Sequence, residues 1–398
     1  VTSLTELQRV SYSKSAERHP SVEGCSIMPS PSSPAALVKW LSAAAALLAA
    51  QPAQGAPSPP SFSWDTVGHM VFYHSCNYTG PYTDEALQTV VKFPMVTIEK
   101  GQQVFDDAGY AEDTIVETLR RVKKLNPNIS TIFYYNSVLD WPFYRLHEEF
   151  IQHPEWALPS GKGDGKPCLM TGDRTFPNHT NMLGFDFSQS VVRDFWASEC
   201  INMTKTGFVD GCFSDRAVSE PACPFATKEA QAAYDAGHLK VHQELQEQLG
   251  NGVLIANHAY TMPGVSATQI ESFAADEDSI ILLNQSAALG KLVQAHAGYS
   301  EDSSDNHCSN NVEQALAAFL IGARENSFFG CSRSWNVDTD PVADVWHEEY
   351  DRPLGAPTGF AVKNGDVWTR TFSSGTVVTF NAANSTGHIA WSTSGNAS

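Results

Sequence analysis

The chain has 398 residues, 44 acidic against 25 basic, and a formal charge of −19. This balance argues against a nucleic-acid partner, because phosphate binding needs basic surface. One short apolar run near the N-terminus aside, no segment offers the ~20 apolar residues of a membrane anchor.

Residues 41–50 (L-S-A-A-A-A-L-L-A-A), preceded by Lys39 and followed by Ala53-Gln54-Gly55, have the layout of a secretory signal. Met28 is then the expected translation start. A long disordered leader, suggested by the Pro/Ser-rich stretch 29–34, and a bipartite organelle-targeting leader are the alternatives. Seven Asn-X-Ser/Thr sequons, at Asn77, Asn128, Asn178, Asn202, Asn284, Asn384 and Asn396, agree with secretion and N-linked glycans. Cys25 precedes the signal and seven cysteines follow it. Among these, Cys212 with Cys223 and Cys308 with Cys331 are the expected disulfides of an oxidising compartment, with one thiol left over. No C-x-x-C pair is present, which argues against a zinc ribbon or a thioredoxin motif.

After an A-P-S-P-P-S-F-S linker at 56–63, eight β-prone runs follow: 69–74, 95–99, 130–136, 207–215, 252–257, 267–271, 291–296 and 327–331. Helical spacing marks 111–125, 190–204, 227–249 and 312–324, with Thr227 as a cap and Asn126-Pro127 as a stop. Strands alternating with helices predict an α/β chain, a (β/α)8 TIM barrel over 68–350. Residues 1–55 are expected to be removed or disordered and 56–67 to form a linker. The alternating runs at 361–391 predict a small antiparallel β unit within 351–398. The excursion at 137–206 is expected to build the rim of the site. A phosphate loop, a dinucleotide turn, a G-x-S-x-G elbow and H-E-x-x-H are all missing, so neither cofactor nor metal is expected.

Barrel strands gather their C-terminal ends at one face, where distant residues meet. Acids there suggest acid/base chemistry on an uncharged substrate, and glycoside cleavage needs two carboxyl groups flanking the bond. Asp215 ends the fourth predicted strand, and Asp210 either joins the site or caps the entry to that strand. Glu271 ends the sixth; neighbouring Phe273 is expected to raise its pKa, as suits a general acid. Glu99 ends the second, binding a sugar hydroxyl or pairing with Lys100. Asp186 lies in the pocket or caps the helix that follows it. Tyr134, Asn136, Trp141, Asn257, His258 and His296 fall at or past strand ends, where they bind sugar or simply pack.

Phe208-Val-Asp-Gly-Cys-Phe-Ser-Asp215 resembles the D-G-x-F-x-D strand of glycosyl-hydrolase-like barrel proteins. The D-x-x-x-x-x-V-R-x-x-W segment from Asp186 to Trp196 is similar to theirs, as are the stretches 350–357 and 368–378. Together these cover most of residues 68–391. The resemblance implies a TIM-barrel glycoside hydrolase acting on a polysaccharide or oligosaccharide, its acids drawn from strands four and six. That implies Asp215 as nucleophile or base and Glu271 as proton donor. A carbohydrate-binding barrel without catalysis, and a structural surface protein, are the rival expectations.

Overall fold

The computed structural model describes residues 59–73, 82–100, 109–170, 182–218, 221–298, 307–332 and 345–392. The expected signal with Met28, the cysteines Cys25 and Cys76, and the sequons at Asn77, Asn178 and Asn396 lie outside the described residues.

In chain order the strands are β1 (Val71–Tyr73), β2 (Met95–Ile98), β3 (Ser130–Asn136), β4 (Leu139–Asp140), β5 (Leu169–Met170), β6 (Met182–Gly184), β7 (Gly211–Asp215), β8 (Val253–Asn257), β9 (Ala267–Ile270), β10 (Leu292–Ala297) and β11 (Ser327–Cys331). A further four are β12 (Val362–Asn364), β13 (Val367–Thr371), β14 (Val377–Asn381) and β15 (Thr386–Ala390). The helices are α1 (Asp84–Val90), α2 (Ala111–Leu125), α3 (Leu146–Phe150), α4 (Ser190–Thr204), α5 (Lys228–Leu249), α6 (Glu277–Ala288) and α7 (His307–Gly322).

Eight strands form one parallel sheet in the order β1-β2-β3-β7-β8-β9-β10-β11. The seam is a parallel bridge between His69 and Phe329. There Met70 N–H donates to Phe329 O and Phe329 N–H to Gly68 O, both at 2.9 Å. The expected TIM-like barrel is therefore present, as is the separate four-stranded antiparallel sheet β12-β13-β14-β15. Strands buried on both faces explain the near-continuous apolar runs. Inside the barrel, Phe72, Tyr134 and Phe213 fill one half, with Phe72 and Phe213 centroids 5.0 Å apart and Tyr134 stacked on Phe213 at 5.8 Å.

The helices follow local rules. Ile115, Leu119 and Val122 bury one face of α2, with Glu112 and Asp113 in its first turn and Lys123 and Lys124 in its last, as the helix dipole favours. Thr227 caps α5, its hydroxyl accepting from Ala230 N–H at 3.2 Å. The excursion contributes the small sheet β4-β6-β5, which lies ahead of α4.

Three expectations are corrected. The fourth strand starts at Gly211, not at 207, because Gly207 turns with φ +77° and Asp210 plugs the strand entry. Cys212 pairs with Cys200 and Cys223 with Cys168, whereas Cys308 pairs with Cys331 as expected. Cys212 points outward from β7 and so meets helix α4, not the loop that follows. Within the expected linker, Phe62 packs edge-on against Trp64 at 5.0 Å and against Phe328 at 5.7 Å, tying residues 59–67 to the barrel floor.

Gly237 sits in α5 where the helix crosses the turn before α4. A Cβ there would lie 1.9 Å from the Phe187 carbonyl oxygen. Gly237→Ala is expected to cost about 1–3 kcal/mol, roughly 3–10 °C in Tm, by thermal unfolding. An unchanged Tm would show that the two segments can part freely.

Candidate active site

Side chains alternate along a strand, so residues two apart share the barrel interior. On β3 these are Tyr134 and Asn136; β7 supplies Asp215, β8 Asn257, and β10 His296. Glu271 follows β9 directly and Glu99 follows β2.

Asp215 accepts four hydrogen bonds. Tyr134 Oη–H donates to Oδ2 at 2.6 Å and Asn136 Nδ2–H to the same oxygen at 3.0 Å. Arg216 N–H donates to Oδ1 at 2.8 Å and Asn257 Nδ2–H at 3.2 Å. Asn136 is itself aimed by the turn after β3, where its Oδ1 accepts from Val138 N–H at 2.9 Å and Leu139 N–H at 2.8 Å.

Asn257 Nδ2 also donates to Glu271 Oε2 at 2.7 Å. One amide nitrogen thus serves both carboxylates, which confines those two oxygens to within about 6 Å of each other. His258 Nε2–H faces the same Glu271 oxygen at 3.1 Å, and its Nδ1–H faces Tyr260 Oη at 2.7 Å. The imidazole reaches back because His258 adopts φ +60°. Glu271 keeps 28 % of its side-chain surface open to the cleft.

The electrostatics reverse one expectation. Burial pushes the Glu271 carboxyl up, but the His258 hydrogen bond and charge outweigh it and hold the group well below the usual carboxylate range. Burial by itself would lower His258; Tyr260 and the Glu271 carboxylate raise it, to about 10. Phe273 is not the deciding neighbour: it is buried in the core, its N–H donating to His296 O at 2.9 Å. Burial lowers His296 to about 4. Its neutral ring turns Nδ1–H to the Glu271 carbonyl at 3.3 Å and accepts from Ser332 Oγ at 2.8 Å through Nε2.

Behind Asp215 runs a second chain. Ser137 N–H and Oγ–H both donate to the Asp215 carbonyl, at 3.0 and 2.8 Å. With that hydroxyl proton committed, His238 Nε2–H must donate to Ser137 Oγ, 3.0 Å away. Next to it, Ser214 Oγ lies 2.8 Å from His242 Nε2. Helix α5 thereby fixes the backbone on either side of Asp215.

Asn136, Asn257, His258 and His296 thus join Asp215 and Glu271 in one network. Glu99 is buried and ion-paired with Lys100. The Lys100 ammonium lies 4.7 Å over the Tyr134 ring and 6.0 Å from that of Trp141, which brings Glu99 and Trp141 to the rim of the same cleft. Two residues do not join. Asp210 sits at the opposite end of β7, where Oδ2 accepts from Thr131 N–H at 2.9 Å and pairs with Lys123 at 2.5 Å. Asp186 spends its oxygens on Ser188 Oγ–H at 2.6 Å and Gln189 Nε2–H at 3.0 Å, within the turn ahead of α4; the N-cap of that helix is Gln189, so Asp186 fills neither the pocket role nor the capping role expected of it. The Glu99–Lys100 pair is the alternative the sequence offered; Tyr260, Ser137 and His238 were not anticipated. The signal for Tyr260 was only its place two residues after His258, and nothing in the chain linked His238 to Ser137. Among the described residues no group of acids, histidines or cysteines could hold a metal ion.

The fold has known counterparts. The maltogenic α-amylase AmyB of Thermotoga neapolitana superposes with a TM-score of 0.50 at 11 % identity, over 80 % of this chain and 86 % of that one. The glycoside hydrolase domain of PelA from Pseudomonas aeruginosa gives 0.44 at 13 %, over 69 % and 96 %. No curated protein matches the sequence. The profile of hypothetical glycosyl hydrolase family 15 matches residues 123–376, from the end of α2 across the carboxylate-bearing strands to the closing sheet. With well over half of its length inside that match, the chain belongs to hypothetical glycosyl hydrolase family 15.

Proposed function

We propose that the protein is a secreted, retaining glycoside hydrolase that cleaves O-glycosidic bonds of a neutral or weakly charged oligosaccharide or polysaccharide. The observation that carries this is the shared Asn257 donor. Carboxyl oxygens within about 6 Å suit the ~5–5.5 Å of retaining enzymes, not the ~6.5–9.5 Å of inverting ones.

Asp215 attacks the anomeric carbon and the glycosidic C–O bond breaks. The leaving oxygen takes a proton from Glu271. In the free protein that proton resides on His258, so the pair acts as one acid. In the second half Glu271, again a carboxylate, removes a proton from water, the water oxygen bonds the anomeric carbon, and the ester to Asp215 breaks. Asn136, Trp141, Glu99 with Lys100, and His296 line or support the cleft that receives the sugar. A panel of aryl glycosides and polysaccharides, read by NMR for the anomer first released, tests the reading. Retention with a fluorosugar trapped on Asp215 is expected; binding without turnover, or inversion, overturns it.

The shared proton sets the pH profile. His258→Gln removes the positive charge that holds Glu271 down, leaving burial to push that carboxyl up. The proton is then held by Glu271 alone and lost earlier as pH rises. The alkaline limb of kcat/KM should move to lower pH by about 2 units or more. An unmoved limb would separate His258 from the acid.

Three disulfides support passage through an oxidising compartment. Asn128, Asn202 and Asn384 are exposed and fit glycan attachment. Asn284 does not: its amide donates to Gly322 O at 3.1 Å and accepts from Arg324 at 3.0 Å. Among the described residues no helix is long and apolar enough to cross a membrane.

A further inference from the structure

Barrel interiors are usually filled by branched apolar side chains. Here the half opposite Phe72, Tyr134 and Phe213 is polar. Asn257, Gln269 and Gln294 are register partners on β8, β9 and β10 and form a row across three strands. All three are buried, with 2 %, 0 % and 0 % exposure. Gln269 shares the inward face with Glu271, two residues on. Gln294 reaches across the barrel to Met95 Sδ at 3.5 Å. Thr97, on the same inward face of β2 as Met95, is also fully buried.

Among the described residues no protein group satisfies Asn257 Oδ1, Gln269 Oε1, Gln269 Nε2, Gln294 Oε1 or Thr97 Oγ1. Amide orientation does not remove the problem. Both ends of Gln269 are unmatched, so turning it changes nothing. Turning Asn257 would aim its oxygen at two carboxylates. Turning Gln294 exchanges one unmatched atom for another. A buried polar atom left unpaired costs about 1–3 kcal/mol, and five together would be a large burden on a marginally stable fold. Buried water meets that need where a site offers each molecule two to four polar partners.

We propose that the Asn257–Gln269–Gln294 row, with Thr97, binds a cluster of buried water molecules one layer beneath the two carboxylates, and that this cluster orients the Asn257 amide. Water donating to Asn257 Oδ1 holds the amide plane so that both Nδ2 hydrogens point upward, one to Asp215 and one to Glu271. Gln269 and Gln294 are then positioning residues, acting on the site through water and Asn257. This last consequence rests on the retaining reading above; the water site itself does not.

The test has two parts. A crystal structure of the intact protein at 1.5 Å or better is expected to show ordered water within hydrogen-bond distance of both Gln269 amide atoms and of Asn257 Oδ1. A dry interior with the amides paired to one another, or a monovalent cation in place of water, overturns the proposal. Gln269→Met, an unbranched apolar replacement, should keep the fold and expel the water. On any glycoside the protein hydrolyses, kcat should fall about tenfold with KM unchanged, because the substrate touches neither residue. Gln294→Met should do the same, and serves if the first variant does not fold. Water lost with kcat intact removes the positioning role. Water present in a protein that hydrolyses nothing leaves the site standing and sinks only the enzymatic reading.

Discussion

Asp215→Asn is expected to reduce kcat/KM on any glycoside the protein hydrolyses by about 10⁴-fold or more, since an amide cannot form the ester that Asp215 is proposed to form. Asn is nearly isosteric, and Asp215 sits among donors from Tyr134, Asn136, Arg216 and Asn257 that can regroup around one amide oxygen. The Tm should therefore stay within a few degrees. Glu271→Gln separates the two half-reactions. With an alkyl leaving group, which needs a proton, the loss should reach about 10²–10⁴-fold. An activated aryl group departs unaided, so the first half survives and the second stalls for want of a base. A burst of aryl alcohol followed by a slow steady rate is the expected trace, and added azide should raise that rate. Wild-type turnover in either variant would remove the pair from the chemistry.

Glu199→Gln is expected to stabilise the protein at pH 8 by a few kcal/mol while changing little at pH 5. Glu112 on α2 and Glu199 on α4 are both buried, at 2 % and 5 % exposure. Glu112 Oε1 accepts from Arg145 N–H at 2.6 Å. Glu112 Oε2 and Glu199 Oε1 meet no protein donor among the described residues, so a proton between the two side chains is what satisfies them. Burial raises Glu112 to about 7; burial, then the charge of Glu112 and its hydrogen bond, raises Glu199 to about 8. The sign follows from linkage. An acid that binds its proton more tightly when folded stabilises the fold at low pH. That stability drains away as pH rises from the unfolded value near 4.5 through the folded values. Gln keeps a donor toward Glu112 at every pH and removes one ionisation. Urea unfolding at pH 5 and pH 8 decides the matter: a variant that parallels wild type at both would mean that no shared proton exists.

Much of this was legible in the chain. Helices α2 and α4 and strands β3 and β11 lie where periodicity put them, because each is long or bounded by clear stops. The gathering of Asp215, Asn257 and Glu271 followed from strand-end position in a barrel. Other features were readable but were left open or misread. Asp210 and Asp215 are five residues apart in one extended segment, so at about 3.3 Å per residue they cannot reach the same end. Cys212 is three residues from an inward carboxylate and so faces outward, toward a helix. The electrostatics were not legible. The low Glu271 carboxyl depends on a single left-handed residue, His258, turning its ring back over a strand thirteen residues away in sequence, and no local pattern announces that. Nor does any pattern show that an asparagine and two glutamines form one buried row inside the barrel, since each alone looks like an ordinary strand residue.

The closing sheet bears on how this protein can be handled. Arg370 on β13 is buried, and its Nη1 donates to the carbonyls of Leu320 at 2.8 Å and Ala323 at 2.6 Å, at the spent end of α7. Val378, Phe380 and Ile389 are buried alongside it, and a Cβ at Gly387 would meet Ala317 of α7 at 2.5 Å. The sheet is thus less an ornament than the outer wall of the last helix. A shortened expression product stopping near residue 350 would bare that greasy wall and its unanswered carbonyls. It would be expected to clump, whereas fusions placed beyond β15 leave the staple untouched.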